Sequence, residues 1–191
     1  TTQPLALAKG VQIDTVMTET LLKHVNPLFA NATAVSGVVN FDCQQLAIPL
    51  AGGMSDKAAL TGTFSADSVD LEAAGLLTQL LDALQQRRGQ RMVIHPTQIV
   101  LKEGVVRYDN MQVDVGNNPV NFGGAVGPKG KFDMTVTLPW TFQGRTTRVG
   151  KESQAGARVP VPLTGTVDRP ELDLGKFLQQ GLFKGLEDLL R

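Results

Sequence analysis

Lys131-Phe132-Asp133-Met134-Thr135-Val136-Thr137-Leu138 is the stretch that decides the fold. Phe132, Met134, Val136 and Leu138 fall on one side of an extended chain. Lys131, Asp133, Thr135 and Thr137 fall on the other. Side chains alternate along a strand, so this segment has one face for a core and one for water. The preceding segments continue the pattern. Val93–Leu101, Val105–Tyr108, Met111–Val115 and Val120–Val126 read as successive short strands. Asp109-Asn110, Gly116-Asn117-Asn118 and Pro128-Lys129-Gly130 supply turn chemistry between them. Connections this short make neighbouring strands antiparallel.

Working outward, Leu5 to Val16 reads as a strand. Thr18 to Phe29 reads as a helix with Leu21, Leu22, Val25, Leu28 and Phe29 on one face, bent or broken near Asn26 by Pro27. Val35 to Leu50 is strand-like, with room for a turn at Gly37, and Gly52-Gly53 and Asp56 form a loop. Leu60 to Ser65 alternates as a strand. Asp67 to Asp70 offers caps for a helix that carries Leu76, Leu77, Leu80, Leu81 and Leu84 and stops at Gly89. Residues 141–157 read as a polar loop. Arg158 to Val167 reads as an edge strand, because Pro160 and Pro162 remove two amide donors from one edge. The sequence predicts a closing amphipathic helix over 174–190, with Leu178, Leu182, Leu186 and Leu189 as its stripe.

An internal echo organises these elements. Leu60-Thr61-Gly62-Thr63 followed by Val69-Asp70-Leu71 parallels Leu163-Thr164-Gly165-Thr166 followed by Leu172-Asp173-Leu174. The echo predicts two related halves, 1–88 and 89–191, each closed by a helix and joined in one domain. The expected fold is α+β: a strongly twisted antiparallel sheet with helices packed on its apolar face.

Composition narrows the function. The 191 residues are 42% hydrophobic, enough for a substantial core, and carry a net charge of zero. No global field draws the chain to nucleic acid. Aromatics make up 5%, too few for a base-stacking platform, and the two basic groupings, Arg87, Arg88 and Arg91 and Arg145, Arg148, Lys151 and Arg158, contain no interleaved aromatics. No apolar run is long enough to span a bilayer. The chain opens at Thr1 without Met, which suggests a fragment from which a targeting segment or anchor has been removed.

Chemistry-bearing constellations are sparse. Cys43 is alone, so no intramolecular disulfide forms, and its apolar setting reads as a buried thiol. His24 and His95 have no metal-ligand spacing, and no nucleophile elbow occurs. Gly123 to Lys131 resembles a phosphate loop only superficially, since it leads into a strand rather than a helix. Neither a metal nor a cofactor is expected, and the chain does not read as an enzyme.

Two runs carry a family resemblance. The first is Gly104 to Asn110, Val113 to Gly116 and Gly124 to Met134; the second is Val161 to Leu172. Together they resemble the C-terminal portion of AsmA-like proteins, and the likeness covers the last half of the chain. The resemblance implies a periplasmic or envelope-associated protein of a diderm bacterium. It also implies a curved sheet with an apolar inner face, tied to phospholipid movement or outer-membrane biogenesis. The motifs consist of turn and strand residues and bring no catalytic group. The expected function is non-enzymatic: binding phospholipid or another acyl-chain ligand through the face bearing Met111, Val113, Val115, Phe132, Met134, Val136 and Leu138. The competing expectation is a structural or protein-interaction module of an envelope assembly that pairs with envelope proteins through a free sheet edge.

Overall fold

A computed structural model of the chain describes residues 5–47, 58–73, 75–84, 86, 91–139, 158–173 and 175. Nine strands form one antiparallel sheet in strict sequence order. They are β1 (Leu5–Gln12), β2 (Ala32–Ala47), β3 (Ala59–Ala73), β4 (Met92–Lys102), β5 (Val105–Val115), β6 (Asn118–Val126), β7 (Phe132–Pro139), β8 (Arg158–Thr166) and β9 (Arg169–Leu172).

This overturns the α+β expectation. Strands dominate, and among the described residues the helical segments that pack into the core are two short ones. The first, in the β1–β2 connection, runs through Thr15–Met17, Thr18–Leu22 and Lys23–Val25 and is followed by a 3-10 turn at Pro27–Phe29. Pro27 ends this helix as expected, and Asn26 caps the turn by accepting from the Leu28 amide at 2.9 Å. The second is Leu76–Ala83. Among the described residues the two short helices pack on part of the sheet and form no continuous layer over it. The second helix bridges β3 to β9 and also touches the Pro27–Phe29 turn. The predicted closing helix over 174–190 lies outside the described residues, except at Gly175.

The helix expected to begin near Asp67–Asp70 is strand instead. Ser68 adopts a φ of 52°, the β3–β4 register shifts between Ala66 and Val69, and β3 continues to Ala73. The gain is burial. Val69 is fully buried and Leu71 nearly so, which would be lost if the strand ended at Ser65. Gly37 is no turn either. It sits inside β2 with its Cα against the backbone of Asp67–Val69, opposite this bulge.

The two copies of the internal echo lie differently in the sheet. The first Leu-Thr-Gly-Thr and its Val69-Asp70-Leu71 lie on the single strand β3. The second lies at the end of β8, and Leu172 comes after a hairpin turn on β9. Residues 1–88 and 89–191 share one sheet, joined by β3–β4 pairs from Ala59↔Lys102 to Val69↔Met92.

Among the described residues β1 and β9 do not pair, so the sheet has two edges. It nevertheless curls until the β8–β9 hairpin meets the helical segments. Lys23 Nζ donates to Asp168 Oδ1 at 2.6 Å, Asn31 Nδ2 donates to the Asp168 carbonyl at 2.7 Å, and the Leu172 amide donates to Gln79 Oε1 at 2.8 Å. The core fills the space so enclosed. Leu22, Leu28 and Phe29 from the first helical segment and Leu76, Leu77 and Leu80 from the second join Met111, Phe122, Val136 and Val161 of the sheet in one cluster.

Candidate functional site: an apolar row at one end of the sheet

The seven residues expected to contact lipid share one face of the sheet. Pairing makes this explicit: Met111 opposes Phe122, which opposes Val136, and Val113 opposes Val120. Six of the seven are inaccessible. Met111, Val113, Val115 and Val136 are fully buried, Leu138 is 1% exposed and Met134 2%. Phe132 alone is half-buried.

Phe132 belongs to a row that the helices among the described residues leave partly open. Register places Leu46 against Leu60, Leu60 against Leu101, Leu101 against Val106, Val106 against Val126 and Val126 against Phe132. Paired residues point to the same side, so six apolar side chains from six consecutive strands lie side by side on the core face. Val126 is 2% exposed, Phe132, Val106, Leu101 and Leu60 are half-buried, and Leu46 is 51% exposed. The apolar face therefore continues past its cover and opens progressively toward β2. One step inward lies a closed row. Cys43 pairs with Gly62 and Gly62 with Ile99, while Tyr108 pairs with Gly124 and Gly124 with Met134. The Phe41 ring lies across Gly62, where a Cβ would collide with it.

Leu46, Leu60, Leu101 and Val106 escape a reading of sequence alone. Each sits at a strand end, and the face it occupies depends on bulges. The β2–β3 register slips between Cys43 and Gln45, which returns Leu46 to the core side.

Polar groupings lie mostly on the other face or at the helical seam. His95 Nε2 and Asp114 Oδ2 are 2.6 Å apart on β4 and β5, and Gln112 Nε2 donates to Asp114 Oδ1 at 2.9 Å. Partial burial of Asp114 works against its charge, but the bonds from His95 and Gln112 and the imidazole's charge outweigh it and lower its pKa. His95 and Asp114 side chains are 44% and 31% exposed. A shallow groove of 270 Å³ separates Pro96–Gln98 from Arg107–Asn110. This is below the usual ~300–1,000 Å³ of small-molecule sites. Beside it Arg158 donates to Asn121, whose amide donates to Asn110 Oδ1 at 2.6 Å. Among the described residues no group of three His, Cys, Asp or Glu is placed to hold a metal. Cys43 is buried, as its sequence context suggested.

At the seam, the hydrogen bond and charge of Lys23 lower the pKa of Asp168. A carboxylate whose folded pKa is depressed stabilises the fold above its unfolded pKa of about 3.9, and that contribution fades as pH falls through the lower folded value. Asp168→Asn is expected to lower the neutral plateau slightly, since the pair is exposed, and to converge on the parent at low pH, so that the acid limb is shallower by the same small amount. Urea midpoints measured from pH 2 to 7 check this. An acid limb identical to that of the parent chain would refute it.

Both edges of the sheet resist extension. On β1, Gly10 has a φ of 64°, and the register with β2 slips twice, between Ala6 and Ala8 and between Ala8 and Val11. On the opposite side β9 pairs only with Leu163–Thr166 of β8, and the part of β8 left at the edge holds Pro160 and Pro162. Bulges and prolines blunt an edge against added strands. The expectation that Arg158–Val167 forms an edge strand is corrected: β8 lies between β7 and β9, and only its Arg158–Pro162 part has no strand on its outer side among the described residues.

No family model matches the sequence, and no curated protein or solved structure matches it. No helix among the described residues is long and apolar enough to cross a membrane.

Proposed function

We propose that this chain is a non-enzymatic, lipid-binding domain of the bacterial cell envelope, and that the row Leu46, Leu60, Leu101, Val106 and Phe132 is where an acyl chain lies. The observation that carries the reading is the continuity of the apolar face beyond its helical cover. An extended chain laid across six strands meets aliphatic and aromatic side chains throughout, and each CH₂ removed from water contributes about 0.8 kcal/mol. The buried candidates Met111, Val113, Val115, Met134, Val136 and Leu138 then act as the floor that holds this row in register. The envelope setting rests on the resemblance of 104–134 and 161–172 to AsmA-like proteins. The blunted edges weigh against the alternative of a module that pairs strand to strand with envelope proteins.

The test is native mass spectrometry of the freshly purified chain, before and after incubation with phosphatidylglycerol and phosphatidylethanolamine vesicles, with organic extraction of whatever co-purifies. One phospholipid per chain is the expected result. Leu60→Asp combined with Leu101→Asp should weaken binding about tenfold or more, because an acyl chain would desolvate two carboxylates, while the far-ultraviolet circular dichroism stays that of the parent. A lipid-free chain that gains nothing on incubation would refute the reading and favour a scaffold role.

A further inference from the structure

The shallow groove between Pro96–Gln98 and Arg107–Asn110 is a split in the sheet. β4 and β5 pair from Met92↔Val115 to Ile94↔Val113 and again from Val100↔Arg107 to Lys102↔Val105, but residues 95–99 and 108–112 between them do not pair across this seam. Two bulges account for the parting. Between Phe64↔Thr97 and Ala66↔Ile94, β4 carries one residue more than β3, at His95-Pro96. Between Tyr108↔Gly124 and Met111↔Phe122, β5 carries one residue more than β6, at Asp109-Asn110. With an extra residue on each side of the split, the two strands bow apart and rejoin in the same register. Pro96 has no amide to donate, which suits a bulge and not a regular interior strand. Val100 and Arg107 pair with each other next to Leu101 and Val106, so they point away from the apolar row. The groove therefore opens on the opposite face of the sheet, where Pro96, Gln98, Val100, Arg107, Asp109 and Asn110 are all exposed.

We propose that this split binds one sugar ring, held by Arg107, Asp109 and Gln98. The site is independent of the lipid reading. Its lining selects a neutral polyhydroxyl ligand. The Arg107 guanidinium only donates, the Asp109 carboxylate only accepts, and the Gln98 amide does both. Neither charged group forms an ion pair among the described residues, although both line the same groove. A phosphate offers acceptors alone and would face the Asp109 carboxylate; an ammonium offers donors alone and would face Arg107. Each sugar hydroxyl donates and accepts, so neighbouring hydroxyls satisfy both groups at once. Pro96 and Val100 supply apolar walls for the ring's C–H groups. The rim is braced from outside: Gln44 Oε1 accepts from Gln98 Nε2 at 3.2 Å, and Asn121 Nδ2 donates to Asn110 Oδ1 at 2.6 Å. A volume of 270 Å³ is small for a drug-sized ligand and restricts the occupant to a single ring.

The test is a titration of the isotope-labelled chain, followed by amide chemical shifts, with glucose, galactose, mannose and N-acetylglucosamine up to tens of millimolar. Inorganic phosphate and spermidine serve as charged controls. At least one sugar should shift the amides of 97–100 and 107–110 saturably, with a millimolar Kd, since one ring offers few contacts against the cost of association. Asp109→Asn should weaken that sugar about tenfold, the loss of one charge-assisted hydrogen bond, and should let phosphate bind, because Arg107 is then unopposed. Arg107→Gln should weaken the sugar by a similar factor with no gain of phosphate. Both positions are exposed, so circular dichroism should match the parent, and either variant alone reads the site should the other not fold. No shift with any of the four sugars would overturn the proposal. So would shifts confined to residues outside the groove, tighter binding of phosphate than of every sugar by the parent, or sugar affinity unchanged in both variants.

Discussion

Gly124→Ala is expected to lower the unfolding free energy by roughly 2–6 kcal/mol, the combined cost of positive-φ strain and overpacking, each about 1–3 kcal/mol. Gly124 holds a φ of 132°, where an L side chain is strained, and it lies in the interior of β6 between β5 and β7. A Cβ there would collide with the Asp133 carbonyl oxygen and come within 2.7 Å of the Met134 Cα. Both obstacles are backbone, so no side-chain rotation relieves them. The pairs Tyr108↔Gly124 and Gly124↔Met134 would have to part, and with them the floor of the proposed site. Domains of this size are commonly stable by about 5–15 kcal/mol, so the variant is expected to be marginal or unfolded at 37 °C. Urea unfolding followed by circular dichroism measures it. A midpoint equal to the parent's would show that β6 and β7 do not approach as described.

Phe29→Ala is expected to cost about 3–5 kcal/mol, the range for emptying a buried phenylalanine site. Phe29 is 1% exposed in the turn that follows the first helix, and it packs in the same cluster as the sheet residues. That turn is seated on the sheet through Asn26, which is fully buried and directs Nδ2 at Met111 Sδ, 3.3 Å away. The β1–β2 connection is thus core material and not a surface loop. Its loss should lower the urea midpoint with the slope unchanged, the signature of lost stability in a two-state unit. A cost below about 1 kcal/mol, that of an ordinary surface change, would mean that the connection is peripheral.

The strands of the third quarter were legible because their alternation is regular and their turns carry Asn, Asp, Gly and Pro. Phe132 to Leu138 is the clearest case, and β7 spans that stretch with Phe132 as its first residue. The two segments split at Asp109-Asn110 are one strand with a register shift between Tyr108 and Met111, because a bulge and a turn use the same residue types. Val69-Asp70-Leu71 was misread for a related reason. Asp67, Ser68 and Asp70 are good helix caps, and only the pairing with β2 and β4 shows that the chain stays extended there. The apolar face itself could be foreseen from Met111, Val113, Val115 and the β7 residues. Which of its members stay reachable could not, because that depends on where the two short helices end. The row from Leu46 to Phe132 is assembled from six strands and exists only once five registers are fixed.

Strict neighbour-to-neighbour pairing also bears on how the chain acquires its structure. Every strand pairs with the strand before or after it, so the sheet can grow one hairpin at a time, each step closing a modest loop. Contacts that span long stretches of sequence then close the fold: the apolar cluster joins both helical segments to the later strands, and polar ties join them to the β8–β9 hairpin. Lys23 reaches Asp168 across 145 residues, and Gln79 reaches Leu172 across 93. These ties form only after the last hairpin has arrived. The Leu172 amide, which donates to the Gln79 side chain, is expected to exchange with solvent ahead of the amides of the β4–β7 ladder when the native state opens.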